Sequence, residues 1–443
     1  MVIYNYMKNK LISRDRSRPV PTVIFFSLIG FLIFSGNASG QEKENINLGL
    51  LIEKALKQNL QVEVAKYRYE ASKARIPQAS SLEDPQFEYK YDKINASMDA
   101  VMEGKTAPMR TFGVSQEIPF PTKLILKAQI AVKESQMAYE EYKEKEREII
   151  SQVKSLYAGL AFIYSSIDIT KENKAFLEQL ARSLSTQYSL GKARQEDALK
   201  AQLEIAKMES ELIMLEQKRQ VSQAKINVVL NQDASIELGA PNLDLSDFGS
   251  RRMATSEVGL ENLNKSAREN RPELKAFRFA LERARKVYSL AKQGYFPDFM
   301  VKYERIERDS ELKEWAGMIG VSLPIWFWQK QNFNVKEMRK ELKAMEAEFK
   351  DRENMTLLEV KEAFSNVEAL KKLSVLFRTT YVPQAEQLLK SSSVSYEAGQ
   401  ADFLNLLDSE RMFLEFKLDY YKTLVELEVS FSELERAIGM EIE

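Results

Sequence analysis

The stretch GVSQEIPFPTK, from Gly113 to Lys123, is written again later in the chain as GVSLPIWFWQK, from Gly320 to Lys330. The two copies align without a gap and share a glycine, a valine, a serine, an isoleucine, a phenylalanine and a lysine. Two more pairs follow in the same order at nearly the same offset: QFEYKYDKI with DFMVKYERI, and YSLGKARQEDAL with YEAGQADFLNLL. Three ordered matches predict that the chain arose by duplication of one unit.

The duplication and the composition along the chain divide the 443 residues into four predicted segments. Residues 1–40 have the layout of a secretory signal peptide: basic residues, then the apolar run Val23–Phe34, which is short for a membrane span, then small residues. An uncleaved N-terminal anchor is the alternative. The first repeat is predicted to cover 41–232 and the second 257–443. They are joined by 233–256, whose aspartate, serine, glycine and asparagine residues predict a linker.

The composition excludes several function classes. The chain has 64 lysine and arginine residues against 65 acidic ones, so its charge gives no reason to expect nucleic acid as a partner. It has no cysteine, which rules out disulfides, thiolate metal sites and a lipid-carrying cysteine, and no histidine, the commonest general base. We therefore expect no enzymatic activity, no cofactor and no resident metal. Glycine (16) and proline (12) are scarce, which favours long helices.

Each repeat follows the same plan, in which a helix precedes two short alternating segments. The helices are predicted near Leu48–Ser80 and Leu260–Gln293. In the first alternating segment of each repeat, apolar side chains, mostly aromatic, occupy every second position and mostly charged ones lie between them, which is a strand pattern. The aromatic residues are Phe87, Tyr89 and Tyr91 in the first repeat, with Phe299 and Tyr303 in the second.

Two long helices then close each repeat. Apolar residues from Ile149 to Ile167 step by four and three positions, which is the pattern of a coiled coil. The proline-free run Leu124–Gln187 would reach roughly 95 Å as a helix. Since glycine commonly ends helices, Gly191 and Gly399 are predicted to mark the turns between the paired helices.

The strands leave two interpretations open. Strands of this length cross an outer membrane when tilted, and spanning strands must close into a barrel. Four strands are too few for a barrel, so the membrane interpretation requires an oligomer that pools strands between chains. The alternative is a pair of soluble β-hairpins covered by helices. The signal peptide and the length of the coiled coils favour the membrane.

Several motifs together resemble the TolC-like outer-membrane efflux factor family over essentially the whole mature length. They are the duplication, DPQFEYKY after the first helix, SQEIPFPTK, RPELKA, GYFPDF, GVSLPIW and the ending from YEAGQADFLNLLD onward. SQEIPFPTK and YEAGQADFLNLLD most resemble the branch that serves heavy-metal and small-molecule efflux pumps.

The resemblance implies a mainly α fold with a membrane β-barrel part. Three chains would form a twelve-stranded barrel in the outer membrane, four strands each, and their long coiled-coil hairpins would continue it as a periplasmic α-barrel. The linker and the C-terminal end would pack around the equator of that α-barrel. Members of this branch often carry a lipid on an N-terminal cysteine, and this sequence has none.

The resemblance also implies a function and partners. The chain would be the outer-membrane channel of a tripartite efflux system that exports small molecules or metal cations. It would act as a homotrimer in outer-membrane lipid, reach into the periplasm, and meet a periplasmic adaptor and an inner-membrane transporter. The alternatives are an outer-membrane duct for type I protein or peptide secretion and, in other classes, a periplasmic adaptor or a structural coiled-coil protein.

Three sets of residues are candidates for function by this resemblance. The first would ring the periplasmic aperture, where carboxylates attract cations; asparagine stands where several relatives have the first aspartate of the second repeat. The alternative is that Asp197 and Asp408 are ordinary solvated helix residues near an N-terminus, where the helix dipole favours aspartate. The aperture set is Asp197, Asp402, Asn405 and Asp408.

The second set consists of the hairpin tips that would dock the adaptor, and the alternative is that their glycines only let the chain turn. The third set is the five strand aromatics above, which would face lipid; the alternative is packing in a soluble core. The tip residues are Leu190, Gly191, Lys192 and Ala193, with Ala398, Gly399, Gln400 and Ala401.

Overall fold

The structure is a computed structural model that describes residues 45–95, 106–191, 194–242, 259–308 and 312–442. The predicted signal peptide, the later part of the predicted linker, and the tip residues Lys192 and Ala193 lie outside the described residues.

Within the described residues, the first repeat contains four helices and two strands. Two helices lead into a strand pair, and the strand pair leads into a long helical hairpin. In chain order the elements are α1 (Leu48–Gln58), α2 (Leu60–Ser80), β1 (Gln86–Asn95), β2 (Thr106–Ile118), α3 (Pro121–Ser189) and α4 (Gln195–Val229).

The second repeat has the same order of elements, which confirms the predicted duplication. It differs in that the descending helix of its hairpin is divided by a short π-helical turn, Phe377–Tyr381. The elements are α5 (Leu260–Asn270), α6 (Pro272–Gln293), β3 (Asp298–Arg308), β4 (Leu312–Ser322), α7 (Lys330–Leu376), α8 (Val382–Glu397) and α9 (Phe403–Ile438).

The opening helix of each repeat is broken in two, where the sequence analysis predicted one continuous helix. Asn59 is extended (ψ 122°) and its side chain accepts hydrogen bonds from the backbone N–H groups of Gln61 and Val62, so it caps a new helix. Arg271 is extended (ψ 119°) because it precedes Pro272, which disfavours the helical conformation. Each break turns a short helix onto its own hairpin.

The four strands form one antiparallel sheet in the order β1-β2-β3-β4. The register places Phe87 opposite Val114 and Val114 opposite Tyr303, so the apolar positions of neighbouring strands share one face. Within the described residues, one edge of β1 and one edge of β4 have no partner strand. Unpaired edges leave backbone N–H and C=O groups free to pair with another chain.

The helices pack in two layers that share α3. Next to the sheet, α3 lies between α2 and α6, and α6 packs on α7. Toward the tips, α3 lies between α4 and α9, and α9 packs on α7 and α8. Because α3 has 69 residues, it runs roughly 100 Å from the sheet to the tip. Within the described residues, no helix combines the length and apolar character that crossing a bilayer requires.

Two equivalent cores hold the layers together at mid-height. In the first repeat, Leu51 and Ala55 of α1 pack against Ile149 of α3 and Ile226 of α4. In the second, α5 packs in the same way against α7 and α9, through Leu263 and its neighbours. The start of the predicted linker lies beside the first core.

Hydrogen bonds to its backbone carbonyls hold the start of the predicted linker in place. The backbone N–H of Ile46 donates to the carbonyl of Ala240 over 2.9 Å, and Asn227 donates its amide to the carbonyl of Ile236 over 2.6 Å. In the second repeat, the end of α9 takes the place that corresponds to the start of the linker in the first. Gly439, which has a φ of 76°, ends this helix. There it lies against the backbone of Arg271.

Candidate functional site: the hairpin tips and the strand surface

The two tip turns reverse the chain at a glycine in the left-handed conformation. Gly191 has a φ of 72° and Gly399 a φ of 69°, both in the left-handed region that residues with a Cβ seldom adopt. Among the described residues, nothing lies within 4 Å of the place where a Cβ would stand on either glycine, so both turns are uncrowded. Leu190, just before the first glycine, is 65% exposed.

The second tip turn is closed by backbone hydrogen bonds. The N–H groups of Gln400 and Ala401 both donate to the carbonyl of Ser395, over 2.8 and 3.2 Å, and Ala398 ends α8. These bonds satisfy carbonyls that the end of a helix leaves free. The predicted docking residues of this tip therefore form one compact, exposed turn.

The predicted aperture residues lie within the first two turns of α4 and α9. Asp402 caps α9, since its carboxylate accepts a hydrogen bond from the backbone N–H of Asn405 over 3.0 Å. Asp408 is exposed and lies 3.5 Å from Arg411. Asp197 lies in the first turn of α4. Asp402 therefore caps its helix, and the exposure of Asp408 is compatible both with the aperture and with an ordinary solvated helix residue.

A lysine lies among the acids of both tips. Lys200 forms an ion pair with Glu196 over 2.6 Å. The pKa of Lys200 is raised, chiefly by this hydrogen bond and further by the negative charges of Asp197 and Asp402. Asp197 of the first repeat and Asp402 of the second therefore both act on the ammonium group of Lys200 within one chain.

Among the polar contacts that join the described parts of the two hairpins, two lie just behind the tips, and no sequence pattern indicates either of them. Arg411 of α9 forms an ion pair with Glu204 of α4. Asn173 of α3 donates a hydrogen bond to Glu410 of α9, and burial raises the pKa of Glu410. The partners are far apart in sequence, so only the fold brings them together.

An apolar cluster lies beneath these contacts and holds the two hairpins side by side. It draws on α3, α4 and α9, and Tyr396 of α8 packs against it. A tip that moved as one hairpin would have to open this cluster as well as the polar contacts. Its buried members are Leu177, Leu184, Ala201, Met208, Phe403 and Leu407.

The predicted lipid-facing aromatics share one face of the sheet and none is buried. Phe87 is 68% exposed and Trp315, on the same face, is 76% exposed. The rings of Tyr89 and Phe112 lie 5.1 Å apart across neighbouring strands. The soluble-core alternative required helices to cover this face, and within the described residues they leave it open.

The opposite face of the sheet is charged. Lys302 of β3 reaches Glu88 of β1 over 2.7 Å and Glu304 over 2.8 Å. The aromatic face also carries charges, such as Arg305 and Glu307, in the part of the sheet farther from the helices. Nearer the helices the sheet is apolar and aromatic on one side and polar or charged on the other, which is the pattern of outer-membrane strands, whose two faces meet lipid and an aqueous interior. Among the described residues, no three histidine, cysteine or acidic side chains are placed to hold a metal ion.

Two relatives of known name align with part of the chain. The cobalt-zinc-cadmium resistance protein CzcC of Cupriavidus metallidurans is 24% identical over 260 residues, which are 58% of this chain and 60% of that protein. The toxin and drug export protein A of Aggregatibacter actinomycetemcomitans is 21% identical over 197 residues, 42% of this chain and 41% of the relative. The chain thus spans less than two thirds of either relative's length.

The fold as a whole matches solved channel structures. The structure of CusC, described with its transmembrane channel formation, superimposes with a TM-score of 0.78 at 16% identity and covers 97% of this chain and 99% of CusC. The predicted fold class, with long helical hairpins and a four-strand contribution to a barrel, is confirmed by this likeness.

The family model described as "Outer membrane efflux protein" matches residues 51–232 and 263–440. The two matched segments fall one on each repeat, and together they take in most of the chain. The chain belongs to the outer membrane efflux protein family.

Proposed function

We propose that this chain is the outer-membrane duct of a tripartite efflux system and works as a homotrimer without catalysing a reaction. The observation that carries the proposal is the sheet: it has two free edges and an exposed apolar face. Neither feature is stable in water for a single chain, because open edges and large apolar patches promote association. Pairing β4 of one copy with β1 of the next removes both edges.

The number of strands in membrane β-barrels indicates how many copies of the chain assemble. The smallest have about eight strands, and four strands per chain would give twelve in a trimer. The charged face with Lys302 and Glu88 would then line the aqueous interior, and the aromatics would meet lipid. The helices would extend the duct into the periplasm by the roughly 100 Å of α3.

The tips would form both the aperture and the docking surface. Asp197, Asn405 and Asp408 of three copies would surround the narrow end, where carboxylates favour cations. Asp402 would contribute mainly by capping its helix. The exposed turns at Gly191 and Gly399 would meet a periplasmic adaptor that connects the duct to an inner-membrane transporter.

We propose metal cations or small molecules as the cargo. The name of CzcC, a cobalt-zinc-cadmium resistance protein, supports metal export for this chain. The name of the toxin and drug export protein supports a second candidate, a duct for protein or peptide secretion. Deleting the gene and measuring growth with cobalt, zinc, cadmium or copper salts tests the first. Unchanged metal tolerance together with loss of a secreted protein would favour the second.

The duct itself is tested with purified full-length protein. We expect it in the outer-membrane fraction, as a trimer that separates into single chains only after heating on a denaturing gel. In a planar bilayer it should give discrete, cation-preferring conductance. A protein that dissolves as a single chain without detergent would contradict the proposal.

A further inference from the structure

A groove of about 610 Å³ lies next to the sheet, between α3, α6 and α7. Its floor is α6, where Ala276, Ala280 and Ala284 recur every four residues and therefore lie on one helix face. Because these side chains are small, the floor is recessed, and the side chains of α3 and α7 form the walls. The volume lies within the usual range of small-molecule pockets, about 300–1,000 Å³.

The wall formed by α7 is acidic. Glu337, Glu341 and Glu348 line the groove from this helix. At about 100° per residue these positions fall on one face. Of the basic residues in the same stretch, Lys336, Arg339, Lys343 and Lys350 lie on or toward the opposite face, and Lys340 lies on the flank between the two faces. None of these five is among the residues that line the groove, so the part of α7 that lines it carries carboxylates.

The remaining charges leave the groove negative. Glu141 adds a fourth carboxylate from α3, and Arg283 is the one basic side chain among the residues that line the groove. Arg283 is held by Glu134 over 2.7 Å. None of the four lining glutamates makes an ion pair within the part of the chain that the structure describes.

The rest of the lining is apolar and adaptable. Met137 of α3 and Met338 and Met345 of α7 line the groove together with Phe277 and Val287 of α6. Methionine fits ligands of irregular shape, and an aromatic ring attracts cations. The carboxylates are not grouped as metal ligands anywhere in the described residues, so the lining fits a bulky cation better than a bare ion.

We propose that this groove binds amphiphilic organic cations, compounds that carry a positive charge on an apolar body. The glutamates attract the charge, and the methionines, alanines and Phe277 take up the apolar part. This inference assigns a ligand site on the wall of the chain; it goes beyond the duct function and does not depend on it.

Two ions of the same shape and opposite charge test the proposal. Full-length protein in detergent is dialysed to equilibrium against tetraphenylphosphonium or against tetraphenylborate, with protein-free micelles as the blank. We expect saturable binding of the phosphonium cation and none of the borate anion. Equal binding of both ions would show only apolar partition and would overturn the proposal.

Variants locate the binding. Replacing Glu337 and Glu341 together by Gln should weaken phosphonium binding by about five- to tenfold, since two carboxylates beside the cation are lost. Glu346→Gln is the matched control, because Glu346 lies on the opposite side of α7. If the control weakens binding as much as the double variant, the cation is not in the groove.

A third variant fills the groove. Ala280→Leu places a larger side chain on the floor and should abolish saturable binding while the protein remains a trimer. If this variant loses the trimer, a second copy of the chain occupies the groove and the proposal is wrong. Bilayer conductance of the same variants is measured separately, so failure of the binding proposal and failure of the duct proposal give different results.

Discussion

Gly439 illustrates how one residue fixes the junction between the end of α9 and the break at Arg271 between α5 and α6. Its φ of 76° is left-handed, and a Cβ there would lie 2.7 Å from the backbone of Arg271. Gly439→Ala should lower the free energy of unfolding by about 2 kcal/mol or more, because it adds left-handed strain of roughly 1–2 kcal/mol to a backbone clash. Denaturant unfolding of the purified protein measures the change.

Gly159 provides the control for that change. It lies inside α3, and no atom of the described residues stands within 4 Å of the position that its Cβ would take. Gly159→Ala should therefore stabilise the protein by about 0.5–1 kcal/mol, since alanine favours the helix. If both variants shift stability in the same direction, the close approach at Gly439 is not what matters there.

Because of Glu410, which lies just behind the hairpin tips, the stability of the folded protein should depend on pH. Burial raises its pKa above the usual value, so between the unfolded and folded pKa values the native state binds more protons than the unfolded state. Stability from this residue is therefore present at low pH and is lost as the pH rises through that window. Glu410→Gln, which can still accept the hydrogen bond from Asn173, should stabilise the protein by about 1 kcal/mol at neutral pH and not at pH 4.

Unfolding at the two pH values checks this expectation. Glu415→Gln is the control, because Glu415 is exposed on the same helix and its loss should change stability by less than about 0.5 kcal/mol. A gain for Glu410→Gln that is the same at both pH values would exclude ionisation of Glu410 as the cause.

At the scale of elements, the contact between α4 and α9 decides whether the tips can separate. The carboxylate of Glu204 is largely buried, and Arg411 is its ion-pair partner across the two hairpins. Arg411→Ala removes a contact of about 1–3 kcal/mol and leaves the buried carboxylate of Glu204 with its longer pair to Lys207, over 3.8 Å. We expect a larger mean single-channel conductance in planar bilayers.

Lys422 of α9 is the matched control for Arg411. Its ion pair with Glu426 is 3.9 Å long, stays within one helix and is exposed on both sides. Surface pairs of this kind contribute little, so Lys422→Ala should conduct like the unaltered protein. Unchanged conductance in Arg411→Ala would mean that this contact does not restrain the tips.

At the scale of the whole molecule, the two faces of the sheet should respond differently to the same new charge. Tyr89 and Lys90 are neighbours in β1 that point to opposite faces. Tyr89→Glu puts a carboxylate on the proposed lipid face, at a cost of about 1–3 kcal/mol, and should reduce the yield of heat-modifiable trimer in the outer membrane. Lys90→Glu should insert normally, and equal loss for both variants would contradict the assignment of the faces.

Much of this architecture could be predicted from periodicity. Alternation around Phe87 and Phe299 indicates strands, and spacing by four and three from Ile149 indicates the hairpin, because each pattern reflects which side chains are buried. The breaks at Asn59 and Arg271 were missed: the first depends on a side chain that caps, and the second on a proline that also begins many helices. The pairs Glu204–Arg411 and Asn173–Glu410 join distant segments, and local patterns carry no information about them.

The π-helical turn ahead of Pro383 gives the two hairpins unequal mechanics. The N–H of Val382 bonds to the carbonyl of Phe377, one position further back than in an α-helix, next to a proline that has no N–H to donate. In the first hairpin, α3 is one continuous α-helix of 69 residues, so it should resist bending more than the divided helix does. Bending should therefore concentrate at the π-helical turn. In the proposed trimer, the three hairpins of the second repeats would then swing while the three hairpins of the first repeats stay straight.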